Sequence, residues 1–178
     1  IKQTYRNRCT IAGPDGELAL SIPTVKPDTL KCPMKDIRIS DHGNWRHLHW
    51  NAIESAYNNT PFFEYYKDDF RPFYEKKYEF LIDFNEEICR LVCQLIDIQP
   101  NIERTSAYKM EFSAEETDFR ESIHPKKDFR TTDPEFSPQP YYQVFESKLG
   151  FLPNLSIIDL LFNIGPESLL VLKKPTRL

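Results

Sequence analysis

The segment NLSIIDLLFNIGPESL, residues 154–169, reads as an apolar helix interrupted by polar side chains. Ser156, Asp159 and Asn163 are spaced by three and four residues, which places them on one face of a helix. An ionised carboxylate that is buried without a partner is costly, so Asp159 must find a partner or shift its pKa. The polar face therefore either hydrogen-bonds this helix to another element or lines one wall of a cleft. The partners expected for Asp159 are Arg6, Arg8 or Arg46.

Turn signals and apolar spacing predict the fold class. The β-prone runs RCTIAG and LALSIPTV are joined by PDGE, which is a hairpin signal, and KDIRI (residues 35–39) alternates as a half-buried strand does. Apolar stripes predict helices over residues 44–59, 84–98 and 155–164. Because 178 residues is the size of one domain, we expect a single α/β (mixed α+β) domain over residues 1–178. It should contain a small sheet with an N-terminal β-hairpin, flanked by several helices.

Finer boundaries follow from local chemistry. Asn44, Thr60 and Asp83 precede helical patterns and are predicted to cap them. The segments TSAYKMEF (residues 105–112) and YYQVF (residues 141–145) are predicted to be short strands.

Residues 113–140 form a polar stretch that contains four prolines. Loops beyond about 15 residues in a compact domain are usually functional lids or mobile segments. A lid over a site and a loop that wraps the surface both fit this stretch. We expect it to be the most mobile part of the chain.

Charge and hydropathy narrow the classes of partner. Net charge is −4, from 27 acidic and 23 basic residues without a basic stripe, so we expect no nucleic acid partner. No run of 18 apolar residues is present and Ile1 is not followed by an apolar signal core, so we expect no membrane span and a cytoplasmic location. Because the chain starts at Ile1 without methionine, we expect a short native N-terminal segment to be missing.

Cysteine and histidine spacing does not favour a metal site. Cys89 and Cys93 are expected to face into packing, and free reduced thiols are predicted at all four cysteines, Cys9, Cys32, Cys89 and Cys93. His47 and His49 lie two apart on a predicted helix and so point about 200° apart. Nucleophile and phosphate-cradle motifs are absent. We therefore expect no metal and no cofactor.

His49 is the best general base that the chain offers. It falls on the apolar face of the helix predicted over residues 44–59, one turn after Trp45. A histidine at such a position is a hydrogen-bonded core residue, or a general base where the apolar face also lines a pocket. Both interpretations stay open.

Five stretches of the chain carry a family resemblance: YRNRCTIAG, LSIPT, GNWRHLHWNAIESAYNNTPFFEYY, YEFLIDFN and YYQVFESKLGFLPNLSIIDLLFNIGPES. With these, the sequence resembles the WbqC-like protein family, and the last stretch is the most specific. Members are often encoded beside genes for surface polysaccharides, which implies a role in making or modifying activated sugars. The family name carries no established reaction.

The resemblance also implies site residues. If Asp159 and Asn163 face a cleft with His49 and Arg8, His49 and Asp159 are the expected catalytic residues, with His49 moving a proton and Arg8 holding a phosphate or carboxylate. The alternative is that Asp159 and Asn163 cap neighbouring backbone or tie the helix to the hairpin. The residues implied in substrate binding are Asn7, Arg8, Trp45, Tyr141, Gln143, Ser156 and Asn163. Two departures bear on substrate: the family's short strand and helix before YRNR are absent, and a proline-rich stretch (124–140) replaces a small-residue segment.

Three functional classes follow. The first is a transferase that modifies a nucleotide-activated amino sugar for an O-antigen or capsule, with a nucleotide sugar or another small anionic molecule as substrate. The second is a non-catalytic binding or assembly partner in a polysaccharide-biosynthesis complex, which an exposed apolar patch would favour. A metal-dependent hydrolase is the least favoured class, because ligand spacing is poor.

Overall fold

The computed structural model describes residues 4–28, 32–120, 123–132 and 137–173. Its sheet is an antiparallel hairpin of two strands, β1 (Arg8–Gly13) and β2 (Gly16–Ser21). Gly13 lies opposite Gly16, so the turn is the Pro14-Asp15 pair. The predicted N-terminal hairpin is confirmed, because its register follows from local turn chemistry.

Helices supply most of the regular structure that is described. They are α1 (Trp45–Tyr57), α2 (Phe63–Phe70), α3 (Pro72–Glu75), α4 (Leu81–Leu95), α5 (Phe129–Thr132), α6 (Glu146–Leu149), α7 (Ile157–Ile164) and α8 (Ser168–Leu172). The mixed α/β class, with a small sheet and flanking helices, is confirmed. The three main predicted helices correspond to α1, α4 and α7.

The core is built around α7. Phe162 is fully buried and its ring centroid lies 5.2 Å from that of Tyr57, 5.2 Å from that of Phe63 and 5.5 Å from that of Phe70. The Ser156 amide donates to the Thr10 carbonyl at 2.7 Å, which fixes the start of α7 against β1. The apolar composition of α7 is thus satisfied by contact with the hairpin, α1 and α2.

A second apolar cluster lies between α1, α3 and α4. Its buried members are Ile22, Trp45, Phe73, Tyr78, Leu81 and Phe84. The two clusters share partly buried residues, including Tyr74 and Ile88. The first turn of α1 therefore packs on α4, while the end of α1 packs on α7.

The strand predicted over residues 35–39 is wrong. Met34–Asp36 is a 3-10 turn, and the segment then makes only single bridges, between Thr24 and Ile39 and between Arg38 and Phe80. The turn leaves too few extended residues for a ladder, so this segment does not join the hairpin.

The strands predicted over residues 105–112 and 141–145 are also wrong. The first is coil, and its Tyr108 and Met110 side chains are 78% and 83% exposed. The second makes side-chain contacts with α7 and then turns into α6. Alternating sequence favours a strand only where another strand is available to pair with it.

The predicted caps are wrong for a related reason. Asn44 precedes α1 in a left-handed conformation (φ 49°) without a side-chain capping bond, and Thr60 donates backwards to the Tyr57 carbonyl at 2.7 Å. α4 begins at Leu81, whose amide donates to the Ile37 carbonyl at 2.9 Å, so Asp83 lies inside the first turn. Tertiary backbone contacts, rather than local caps, set these boundaries.

The described part of residues 113–140 consists of turns and exposed coil together with α5.

All four cysteines are free thiols, but Cys89 is exposed, which contradicts its predicted packing. Within the described ranges, no helix combines the length and the apolar character needed to cross a membrane.

Candidate functional site

Asp159 lies on α7 with none of its surface exposed. Its Oδ1 accepts a hydrogen bond from the Tyr57 hydroxyl at 2.8 Å. Its Oδ2 accepts from the Tyr141 hydroxyl at 2.6 Å and from the Gln143 side-chain amide at 3.0 Å. The predicted arginine partner is therefore wrong, because within the described residues these neutral groups satisfy the carboxylate.

The same contacts extend into a network that joins four segments of the chain. The Tyr57 hydroxyl accepts from the Ala12 amide of β1 at 3.1 Å. Gln143 exchanges two hydrogen bonds with the Leu152 backbone, at 2.9 and 2.8 Å. Asn163 accepts from the Val144 amide at 3.1 Å and donates to the Asp159 carbonyl at 2.7 Å. We name this set, Tyr57, Tyr141, Gln143, Asp159 and Asn163, the Asp159 network.

Burial governs the protonation of the Asp159 network. Burial raises the pKa of Asp159, while the hydrogen bonds from Tyr141, Tyr57 and Gln143 oppose that rise. Burial and the neighbouring Asp159 carboxylate raise the pKa of both tyrosines. Both hydroxyls therefore keep their protons at neutral pH and remain donors to the carboxylate.

His49 lies on α1 near the open end of the hairpin and is partly buried. Its ring bonds to the Ser21 backbone, and burial lowers the pKa of His49 to about 4. Its ring centroid is 5.2 Å from that of Trp45 and 6.4 Å from that of Tyr74. At pH 7 the imidazole is therefore neutral with one ring nitrogen unprotonated, and the lowered pKa makes that nitrogen a weaker base than a solvated histidine.

The other residues predicted near His49 also lie at this end of the hairpin. Arg8 pairs with Ser21 in the β1–β2 register, so it is placed beside the strand residue that holds His49. Asn7 is buried and donates to the Ile22 carbonyl at 3.1 Å, which closes the hairpin. The indole of Trp45 donates to the Ser40 carbonyl at 3.1 Å. We name Asn7, Arg8, Trp45 and His49 the His49 group.

Ser156 lies between the His49 group and the Asp159 network. Its amide bonds to Thr10, and its side chain bonds to the Cys9 thiol on β1. Burial raises the pKa of Cys9 to about 11, so this cysteine is a thiol and not a thiolate nucleophile at neutral pH. Eight of the nine predicted residues thus form two groups, with Ser156 between them, and among the described residues no hydrogen bond joins His49 to Asp159.

Sequence reasoning missed Tyr57, a member of the Asp159 network, and Tyr74, whose ring packs beside that of His49. Tyr57 was placed only on the apolar face of its helix, yet it is a donor to Asp159. A buried tyrosine hydroxyl normally requires a hydrogen-bond partner. That requirement, set beside the unpaired carboxylate of Asp159, is the signal that could have linked the two residues.

A surface groove lies elsewhere, along the second half of α4 and the coil that follows it. It has a volume of about 820 Å³, and its lining includes Cys89, Cys93, Ile98, Ile102 and Arg104. None of the nine predicted site residues lines it. Among the described residues, no group of three or more His, Cys, Asp or Glu side chains is placed to hold a metal ion.

Comparisons with known proteins agree with the sequence resemblance. The model of the WbqC-like protein family matches residues 1–127, a range that includes the His49 group but ends before Tyr141 and α7. The "Uncharacterized protein Rv1507c" of Mycobacterium tuberculosis is 24% identical over 187 residues, which cover 94% of this chain and 80% of that protein. No solved structure matches the chain significantly. With most of its length matched, the chain belongs to the WbqC-like protein family.

Proposed function

We propose that this protein acts in the biosynthesis of a bacterial surface polysaccharide, of the O-antigen or capsule type, as a transferase that modifies a nucleotide-activated amino sugar. The observation that carries the proposal is the position of His49. This neutral imidazole is held at the Ser21 backbone, directly across the hairpin from Arg8. Family membership supports the choice of substrate class.

The residues of the His49 group have complementary roles in this proposal. The Arg8 guanidinium binds a phosphate oxygen of the nucleotide sugar, for which its planar set of donors is suited. The amine nitrogen forms a bond to the transferred group of a second, donor substrate while the bond between that group and its donor breaks. The second nitrogen of the His49 ring accepts the proton that the amine loses, and the donor departs with the electron pair of the broken bond. Trp45 fixes the ring of His49 from one side.

The Asp159 network has a supporting role in the same proposal. We assign to Asp159 the positioning of Tyr141 and Gln143, because all three donors to its carboxylate are protein side chains. The network holds α7, and through Ser156 and Thr10 it fixes β1, which carries Arg8. A cytoplasmic location, expected from the sequence, completes the proposal.

Calorimetric titration with UDP- and dTDP-linked amino sugars tests the proposal. We expect the wild type to bind at least one of them, with affinity reduced at least tenfold in Arg8→Gln. Arg38→Gln is the matched control, because Arg38 is an exposed arginine paired with Glu79 at 2.6 Å. His49→Gln should keep binding within about threefold. A wild type that binds none of these sugars at millimolar concentration would contradict the transferase proposal.

A second class, the non-catalytic assembly partner, is favoured by a different observation. Large apolar side chains are exposed along residues 98–123, namely those of Ile98, Ile102, Tyr108, Met110, Phe112, Phe119 and Ile123. Exposed apolar surface marks an interaction site where it is contiguous, so this stretch is the surface to test. Complementation of a strain that lacks the gene separates the two classes. If the protein is an enzyme, the His49→Gln variant should fail to restore the polysaccharide. If it is an assembly partner, His49→Gln should restore the polysaccharide and Met110→Ser should not.

A further inference from the structure

Residues 105–112 have the sequence of a strand but lack a strand to pair with. Within the described residues, none of their backbone N–H groups donates to another backbone carbonyl. Tyr108 and Met110 project into solvent. A strand-forming segment with available backbone groups is a template for pairing with another chain.

The segment Tyr108-Lys109-Met110-Glu111-Phe112 is complementary to itself in one antiparallel register. With Met110 opposite Met110 of a second copy, each Lys109 lies opposite a Glu111. Each Tyr108 then lies opposite a Phe112 on the other face. Opposite charges and aromatic pairs directly across two strands stabilise antiparallel pairing.

We propose that two copies of this protein associate through these residues, as an antiparallel pair of strands with a two-fold axis at Met110. The register is isologous, because the same surface of each copy contacts its counterpart. Shifting it by one residue would place Lys109 opposite Met110 and remove both charge pairs. This pairing is independent of the transferase proposal, since it uses none of the nine predicted site residues.

Pairing must replace contacts that the segment makes within its own chain. Lys109 bonds to Glu116 at 2.5 Å, and both side chains of this ion pair are more than two-fifths exposed. The Arg120 guanidinium lies 4.5 Å from the ring centroid of Tyr108 and 4.7 Å from that of Phe112. Exposed ion pairs contribute little to stability. The Arg120 guanidinium also donates to the Lys109 carbonyl at 3.0 Å. The proposal requires the strand ladder and the burial of the Tyr108, Met110 and Phe112 side chains to outweigh the loss of these contacts.

A charge-reversal experiment tests both the pairing and its register. Sedimentation velocity over a concentration series should show a wild-type dimer. Lys109→Glu places like charges opposite each other at both pairs, as Glu111→Lys does, so each variant alone should dimerise at least tenfold more weakly. Mixed in equal amounts, the two variants should form a heterodimer with wild-type affinity, because each Lys then faces a Glu again.

Lys35→Glu is the matched control, since Lys35 is an exposed lysine outside the segment, and it should dimerise as the wild type does. Circular dichroism checks that every variant is folded. A monomeric wild type overturns the proposal. Single variants that dimerise normally, or a mixture that does not recover the dimer, overturn it equally.

Discussion

The buried carboxylate of Asp159 is stable because three neutral donors surround it. Two tyrosine hydroxyls and an amide satisfy its oxygens, so no cation is needed in the interior. Helical spacing predicted that Asp159 and Asn163 share a face and that Asp159 requires a partner. It could not predict Tyr57, which lies 102 residues away, because spacing within one helix does not say which other element packs against it.

Replacing Asp159 with asparagine should lower the free energy of unfolding by about 1–3 kcal/mol. The new amide group carries one acceptor and one pair of donors, so at least one of the surrounding donors loses its acceptor. Urea denaturation followed by circular dichroism measures the change. Asp68→Asn is the control: Asp68 is exposed on α2, and its replacement should stay within about 0.5 kcal/mol. An Asp159→Asn protein as stable as the wild type would mean that the carboxylate is not a structural acceptor.

The pH dependence of stability should reveal the burial of His49. Burial lowers its pKa from 6.5 to about 4, so between these values the unfolded chain binds the proton more readily than the folded one. The stability contributed by His49 is thus complete above pH 6.5 and falls as the pH is lowered towards 4. An NMR titration should give a midpoint near 4 for the ring resonance that disappears in His49→Gln. A midpoint at or above 6 would show that the imidazole is solvated.

At the scale of elements, the segments that local sequence predicts correctly differ from those whose structure depends on distant residues. The hairpin and helices α1, α4 and α7 were predictable, because turn residues and apolar periodicity act within each segment. The three wrongly predicted strands depend on partners elsewhere in the chain. Residues 141–145 show the physical reason. The Gln143 side chain donates hydrogen bonds to Asp159 and to the Leu152 carbonyl, so side-chain contacts rather than a strand ladder hold this segment.

The end of α7 depends on a glycine for space as well as for conformation. Gly165 has a φ of +59°, and an added Cβ would lie 2.5 Å from the Phe62 ring. Gly43 has a φ of +78° but open space around it. We expect Gly43→Ala to cost about 1–2 kcal/mol through backbone strain alone. Gly165→Ala should cost more than that by thermal or urea unfolding, and equal losses would show that Phe62 moves aside freely.

At the scale of the whole molecule, the predicted site residues divide between the His49 group and the Asp159 network, with Ser156 between them. The sequence placed Tyr141 and Gln143 on a strand that does not form, and the separation of the predicted residues into the His49 group and the Asp159 network follows from packing. The carboxylate of Asp159 faces inward to α1, whereas His49 lies at the hairpin end. Only the tertiary arrangement decides whether a polar residue on one helix contacts a polar residue on another.

Limited trypsin digestion should first cut the polar stretch over residues 113–140. Lys126, Lys127 and Arg130 are exposed there, and the surrounding described residues bury little apolar surface that would repay the entropy of ordering. Mass spectrometry of the first fragments identifies the site. A first cut inside α1 or α4 would place the least stable region in the helical core instead.

The long separation between Tyr57 and Asp159 has a consequence for synthesis on the ribosome. At translation rates of roughly 5–20 residues per second, the 102 residues between them take about 5–20 s to make. During that interval the nascent hairpin and α1 have no α7 to cover them, and the Tyr57 hydroxyl has no carboxylate to meet. The emerging chain therefore exposes its aromatic surface to chaperones until the last part of its core arrives.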